Sequence, residues 1–228
     1  MLSPADWAIV ALSLKVAVVA VALTLPVAFA LAWVLARTRF PGRILLDALV
    51  HLPLVLPPVV MGWLLLLGFG ANGPIGRLLE TVFGASVMFR WTGAALAAAV
   101  MALPLMVRAI RLSLEGIDPR LEGAARTLGA GPWRAFATVT LPLSLPGVLA
   151  ASVLGLARSL GEFGATITFV SNIPGETQTL PLAIYSALQL PGGDAQVARL
   201  AAISVALSLA ALVGSEALAR RSGVRHVA

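Results

Sequence analysis

Cysteine is absent, lysine and tyrosine occur once each, and histidine occurs only twice in 228 residues. Each scarcity excludes a chemistry. Without cysteine there is no disulfide, no thiol nucleophile and no thiolate metal site. The single lysine, Lys15, follows Leu14, so a G-x4-G-K-[ST] phosphate loop cannot be formed. The chain therefore does not use ATP through such a loop itself. No H-E-x-x-H pair, dense histidine–carboxylate cluster or G-x-S-x-G elbow occurs, which removes the usual hydrolytic metal and serine sites. Charge is scarce as well. Only 11% of residues are charged, 59% are hydrophobic and the mean hydropathy is +0.96, whereas soluble domains carry about a quarter charged residues. Most of this surface is expected to face lipid, and residues 1–228 are expected to form one membrane domain with no room for a soluble catalytic one.

The charge that remains is basic, with a net charge of +6, but its placement argues against nucleic acid. Eleven of the sixteen basic residues fall in three groups: Arg37, Arg39 and Arg43; Arg108, Arg111, Arg120, Arg126 and Arg134; Arg220, Arg221 and Arg225. All three flank apolar runs, as cytoplasmic loops do under the positive-inside rule. The expected orientation is N-terminus outside and C-terminus cytoplasmic. Arg77, Arg90 and Arg199 are the outside exceptions, partly balanced by Glu80, Glu176 and Asp194.

A spanning helix needs about 20 apolar residues. Five segments qualify: Val16–Ala36, Ile44–Phe69, Gly93–Ile110, Leu145–Val170 and Leu200–Leu218. Trp7–Leu14 is expected to form an interfacial helix leading into the first span, and nothing there resembles a cleaved signal peptide. Asn72-Gly73-Pro74 marks a turn between the second and third spans. Leu180–Leu190 is apolar but short, and is expected as a re-entrant or surface helix; six spans is the alternative count. Trp33, Trp63, Trp91 and Trp133 suit interface anchoring.

One segment, from about residue 113 to 142, is too polar for lipid and longer than a connector requires. Asp118 before Pro119 is a helix-start signal, because Asp caps free amides and Pro fits the first helical position. A short helix over Arg120–Leu128 follows, stopped by Gly129-Ala130-Gly131-Pro132. A second runs from Trp133 to about Val139 before Leu141-Pro142. Two short projecting helices form a docking surface for another protein.

Ala124-Ala125, Gly129, Val139 and Leu141-Pro142 resemble the "EAA" loop of the permease subunits of ATP-binding cassette importers. Ala157–Thr166 (ARSLGEFGAT) and Asn172–Tyr185 (NIPGETQTLPLAIY) are similar to the molybdate and sulfate branch of that family. The one departure in the loop is Gly123, where the family usually has Glu; Glu122 is the neighbouring carboxylate. The resemblance implies an all-α type I importer permease fold with short cytoplasmic coupling helices, in a bacterial inner membrane. It implies ATPase docking through Asp118, Arg120, Glu122, Ala124, Ala125, Arg126, Gly129 and Trp133. The implied partners are a second copy, two cytoplasmic ATPase subunits and a periplasmic or lipid-anchored molybdate-binding protein. No cofactor is expected on this chain, since ATP would be consumed by the partner, and no enzymatic activity of its own. The implied cargo is molybdate or tungstate, with sulfate or thiosulfate as the alternative.

Within the spans, Arg158 and Glu162 are the least expected residues, each costing about 2.5–3.5 kcal/mol near a helix centre on insertion scales. Spaced i, i+4, they can pair, next to a small-residue stripe of Ala151, Gly155 and Ser159 that admits a neighbouring helix. The pair is either a gate on the pathway or a brace between helices. Pro57, Pro58 and Gly62, after Pro53, interrupt the second span, either as a gating kink or as a static one. His51 stands alone as a helix-start polar residue. Asn172, Thr177, Gln178 and Thr179 offer uncharged hydrogen-bonding groups in an outer loop. A membrane-embedded enzyme built on Arg158 and Glu162 would need further convergent ionisable groups. A gradient-driven transporter would show inverted repeats and more intramembrane carboxylates than Glu162 and Glu216.

Overall fold

The computed structural model describes residues 3–221; Arg225 of the third basic group lies outside them. Helices are the only regular elements in the described residues: α1 (Pro4–Arg37), α2 (Arg43–Val55), α3 (Pro58–Phe69), α4 (Pro74–Phe83), α5 (Trp91–Glu115), α6 (Pro119–Thr127), α7 (Pro132–Ala135), α8 (Leu141–Leu160), α9 (Gly164–Val170), α10 (Leu180–Leu188) and α11 (Asp194–Arg221). A π-helical turn, Phe136–Thr140, joins α7 to α8 as one rod of 29 residues. The rod, α1, α5 and α11 are each long and apolar enough to cross a membrane, and α2 with α3 meets the same test as a bent pair, which gives up to five crossings. α10 has nine residues, too few for a sixth.

Three expectations change. The first span does not follow a separate interfacial helix. Ser3 and Asp6 form a reciprocal capping box, with each side chain accepting the other's backbone N–H, so α1 runs unbroken from Pro4. Its 34 residues reach about 51 Å, well beyond a hydrocarbon core of about 30 Å. The second span is broken rather than kinked, with α2 and α3 meeting at 116°. Leu56 and Pro57 each precede a proline, which disfavours the helical region, and both are extended (ψ 142° and 135°). The fourth span also ends early. α8 stops at Leu160 and Gly161–Phe163 separate it from α9. The turn expected at Asn72-Gly73-Pro74 is present, and it leads into α4, whose apolar Ile75, Leu78, Val82 and Phe83 stay exposed.

α5 is the most buried spanning helix and forms the centre of the bundle. Ala94, Ala95, Ala97, Ala98 and Ala102 are almost wholly buried along it, and such small side chains let neighbouring backbones approach closely. One core layer joins Val16 and Ala20 of α1, Met61 and Leu65 of α3, Ala94 and Ala98 of α5, and Ala165 and Phe169 of α9. A second joins Ala28, Ala32 and Leu35 to Val50, Met106, Ile110 and Ala151. A third ties Ile9 and Val10 to Leu180, Ala183 and Leu200, where the Ser13 hydroxyl accepts the Leu180 N–H at 2.8 Å.

Side-chain contacts fix the helix directions. Lys15 lies 3.7 Å over the Trp91 ring and Arg37 reaches the Ile117 carbonyl, so α1 and α5 run parallel. Gly147 abuts Ser113 and Gly155 abuts Met106, so α8 runs antiparallel to them. Arg199 of α11 approaches Asp6 at 3.5 Å. One end of the bundle thus holds Asp6, Lys15, Trp91 and Arg199. The other holds Arg37, the Arg39–Arg43 loop and α6.

Candidate docking surface and pathway residues

α6 is built as its local sequence dictates. The Asp118 carboxylate accepts the Arg120 N–H at 2.9 Å, and Pro119 occupies the first helical position. At the far end, the Ala130 N–H donates to the Ala125 carbonyl and the Gly129 N–H to the Arg126 carbonyl. This is the paired closure of a Schellman motif. It holds Gly129 at φ +88°, in the left-handed region that favours glycine.

None of the nine residues of α6 is buried. Leu128 is 89% and Trp133 84% exposed, with Leu121 exposed beside them. Arg120, Arg126 and Arg134 are exposed on the same protrusion. Exposed apolar side chains and arginines thus share one protrusion, the kind of patch that marks interaction sites. Ala124 and Gly123 are also exposed, and a Cβ at Gly123 would meet nothing within 4 Å. Ala125 is partly covered.

Glu122 differs from the other docking candidates in facing the bundle. Its carboxylate accepts the hydroxyl of Thr140, which is fully buried in the π-turn, and lies 3.9 Å from the Arg37 guanidinium. α6 is thereby tied to α1 and to the rod. Phe136, in the same turn, packs edge-on against Phe29, Trp33 and Trp133 with centroids 6.1, 5.0 and 6.5 Å away. The expected second projecting helix is absent as a separate element. Trp133–Val139 continues through Leu141-Pro142 into α8, because Leu141 N–H bonds back five residues to Phe136. The widened turn absorbs a proline that cannot donate to the usual i−4 carbonyl.

At the opposite end of the rod, Arg158 Nη1 lies 2.7 Å from Glu162 Oε2. The expected pairing is present, but Glu162 stands beyond the end of α8, in the break. Its side chain is 2% exposed, and Oε1 accepts the Ala165 N–H at 2.8 Å. The carboxylate therefore joins the last turn of α8 to the first turn of α9. Ser159 is buried on the packing side of α8 with Ala151. At Gly155 a Cβ would lie 2.6 Å from Met106 Sδ, so the small-residue stripe does admit α5.

Pro57 and Pro58 are exposed at the α2–α3 corner, whereas Gly62 is buried. A Cβ on Gly62 would lie 2.6 Å from the Ala165 carbonyl oxygen and 2.7 Å from Thr168 Cβ, and one on Gly164 would lie 2.7 Å from Pro58 Cβ. At Gly62 and Gly164, α3 and α9 thus meet with no space for a further side chain. The outer-loop candidates bond inward: Asn172 Nδ2 donates to Ser186 Oγ, and the Thr177 hydroxyl accepts the Ile173 N–H and donates to the Ser171 carbonyl. Thr179 is buried, while Gln178 lines a small surface crevice with Ala5 and Pro174.

A charge cluster between α2 and α5 went unread in the sequence. His51 lies within α2, not at its start and not alone: Nδ1 is 2.8 Å from the Asp47 carbonyl and 3.2 Å from Asp47 Oδ1. Arg111 bridges Asp47 at 3.0 Å and Glu115 at 2.8 Å. The i, i+4 spacings Asp47–His51 and Arg111–Glu115 were the available signal. Among the described residues, no group of three His, Asp or Glu side chains is placed to hold a metal.

Residues 12–224 match the family described as binding-protein-dependent transport system inner membrane component. The chain is 59% identical over 98% of both sequences to the molybdenum transport system permease protein ModB of Escherichia coli K12. It is 61% identical over 92% of both to the ModB of Haemophilus influenzae. The sulfate transport system permease protein CysT of Escherichia coli K12 is 41% identical, over 86% of this chain and 70% of its own. Among solved structures, a bacterial alginate ABC transporter in complex with its periplasmic protein aligns over 96% of this chain with a TM-score of 0.76 and 17% identity. The MetNI methionine ABC transporter aligns over 97% of this chain and 99% of its own with a TM-score of 0.73 and 19% identity. The fold is that of ABC importer permeases, and the chain belongs to the binding-protein-dependent transport system inner membrane component family.

Proposed function

We propose that this chain is the membrane subunit of an ATP-driven importer that carries molybdate, and its isostere tungstate, across the bacterial inner membrane. The observation that carries the reading is the exposed apolar and basic surface of α6 and Trp133, at the end of the bundle that also holds Arg37 and the Arg39–Arg43 loop. The molybdenum permeases match nearly the whole chain on both sides, while the sulfate permease matches less closely and exceeds it in length.

The working unit is two copies of this chain, two cytoplasmic ATPase subunits docked at Asp118–Phe136, and an external molybdate-binding protein. The N-terminus faces outside and the C-terminus the cytoplasm, by the positive-inside rule. The chain binds no nucleotide; ATP acts in the partner. ATP binding closes the ATPase pair and moves α6, and the lock of Glu122, Thr140 and Arg37 passes that movement to the rod and α1. The two copies then rock from inward-open to outward-open and receive the anion from the binding protein. Selectivity resides chiefly in that protein, so the pathway needs no tight site. Arg158 and Glu162 hold α8 and α9 together at the outer part of the pathway, with Pro57, Pro58 and Gly62 shaping the helix pair beside them and Ser159 keeping α8 close to its neighbours.

Two measurements test this. In vesicles containing the assembled transporter, tungstate competes with molybdate uptake and excess sulfate does not; equal competition by sulfate reassigns the cargo. Trp133→Asp with Leu128→Asp leaves the chain folded but abolishes co-purification of the ATPase; retained association removes the docking surface.

A further inference from the structure

Beside the Asp47–Arg111–Glu115 bridge, α2 and α5 enclose an open crevice of about 310 Å³ lined by Asp47, His51, Arg108, Arg111, Leu112 and Glu115. It lies toward the docking end of the bundle, since α5 leads from it to Ile117 and the Arg37 contact. Both carboxylates are engaged: Arg111 takes Asp47 and Glu115, and Asp47 also faces His51 Nδ1. Arg108 lines the same crevice with no ion-pair partner among the described residues. His51 uses Nδ1 toward Asp47, which leaves Nε2 as its second polar atom. The one unpaired charge in the crevice is thus a guanidinium, whose fork of N–H donors matches paired anionic oxygens.

We propose that the α2–α5 crevice binds a tetrahedral oxyanion, with Arg108 as the primary donor and His51 Nε2 as the second donor when the imidazole is protonated. The fixed bridge does two jobs there. It occupies oxygens of both Asp47 and Glu115 and offsets one of their two negative charges, leaving Arg108 to balance the other, and Asp47 holds the imidazole by its other nitrogen. Two sources offer this chemistry at the inner end of the bundle. One is the free oxyanion leaving the pathway, which rests on the transport reading above. The other is a phospholipid headgroup phosphate, with acyl chains along the exposed Leu112, Ile44 and Leu45. The site is distinct from the docking surface and from Arg158 and Glu162.

Direct binding measurements on the purified full-length chain separate the possibilities. Delipidated chain is titrated with sodium molybdate by calorimetry. In parallel, chain taken from phosphatidylcholine vesicles containing phosphatidylglycerol is assayed by native mass spectrometry for retained lipid. Wild type binds at least one of the two anions, and Arg108→Gln weakens that binding by about tenfold or more, as expected for loss of a charge-assisted pair. His51→Gln gives a smaller loss in the same assay, and Arg90→Gln, at the opposite end of α5, gives none. Arg108-dependent molybdate binding assigns the free anion; Arg108-dependent phosphatidylglycerol retention without it assigns the lipid. Failure of wild type to bind either, or unchanged binding in Arg108→Gln, overturns the site. Vesicle uptake is read separately. Sulfate-competed uptake with Arg108-dependent oxyanion binding corrects the cargo and leaves the site standing, whereas molybdate-selective uptake with Arg108-independent binding does the reverse.

Discussion

The α3–α9 seam and the α6 protrusion are opposite solutions to placing a helix. At the seam two backbones touch at Gly62 and Gly164, where even a methyl group has no room. At the protrusion no residue of α6 is buried, and the helix is held by its caps and by one inward carboxylate, Glu122, on Thr140 and Arg37. The first arrangement derives position from packing and the second from a few directional polar contacts. A packed seam fixes geometry, while a tethered helix keeps its surface free for another molecule. Substitutions at the seam should therefore cost the fold, and substitutions on the protrusion should cost partner binding alone.

The largest effect expected is Gly62→Val. Two heavy-atom contacts below 3 Å involve the α9 backbone and Thr168, so the cost reaches or exceeds the upper end of the overpacking range, about 3 kcal/mol. Little folded protein should be recovered in detergent, and a normal melting temperature would show that α9 shifts freely. Next is Glu162→Gln, which loses the ion pair with Arg158 and weakens the bond from Ala165. A loss of about 1.5–3 kcal/mol is expected from charged hydrogen bonds, read as a lower melting temperature; because Arg158 is partly exposed, the lower half of that range is the better target. Gly129→Ala is smaller, about 1 kcal/mol for a left-handed residue gaining a Cβ. It should loosen the end of α6, measured as faster amide exchange over Arg126–Ala130, while the bundle melts as before. Smallest in stability is Leu128→Asp, within about 0.5 kcal/mol as for other surface positions, although ATPase association falls. A protrusion variant that melts as early as Gly62→Val would erase the distinction.

What was legible in the sequence was local. Asp118-Pro119 and Gly129 announced both ends of α6 because caps act over three or four residues. The apolar runs gave the crossings because lipid imposes their length. Breaks inside the runs were less legible. Pro57-Pro58 suggested a bend, but two successive residues preceding proline force a corner of 116°. The break after Leu160 carries no proline, only Gly161 and Gly164 around a carboxylate, and hydropathy does not register it. Leu141-Pro142 misled in the other direction, since a π-turn lets the helix pass through. The i, i+4 pairing of Arg158 with Glu162 was foreseen, but its link to Ala165 depends on the break. The Asp47–Arg111 bridge joins residues 64 apart, a contact that only the packing of α2 on α5 creates.

Trp133 and Arg158 sit on one uninterrupted stick of 29 residues, about 43 Å from end to end. No loop intervenes to dissipate a shove delivered at the exposed tryptophan. Tilting this lever by a few degrees would sweep its far tip through several ångströms, and the strut to α9 would travel with it.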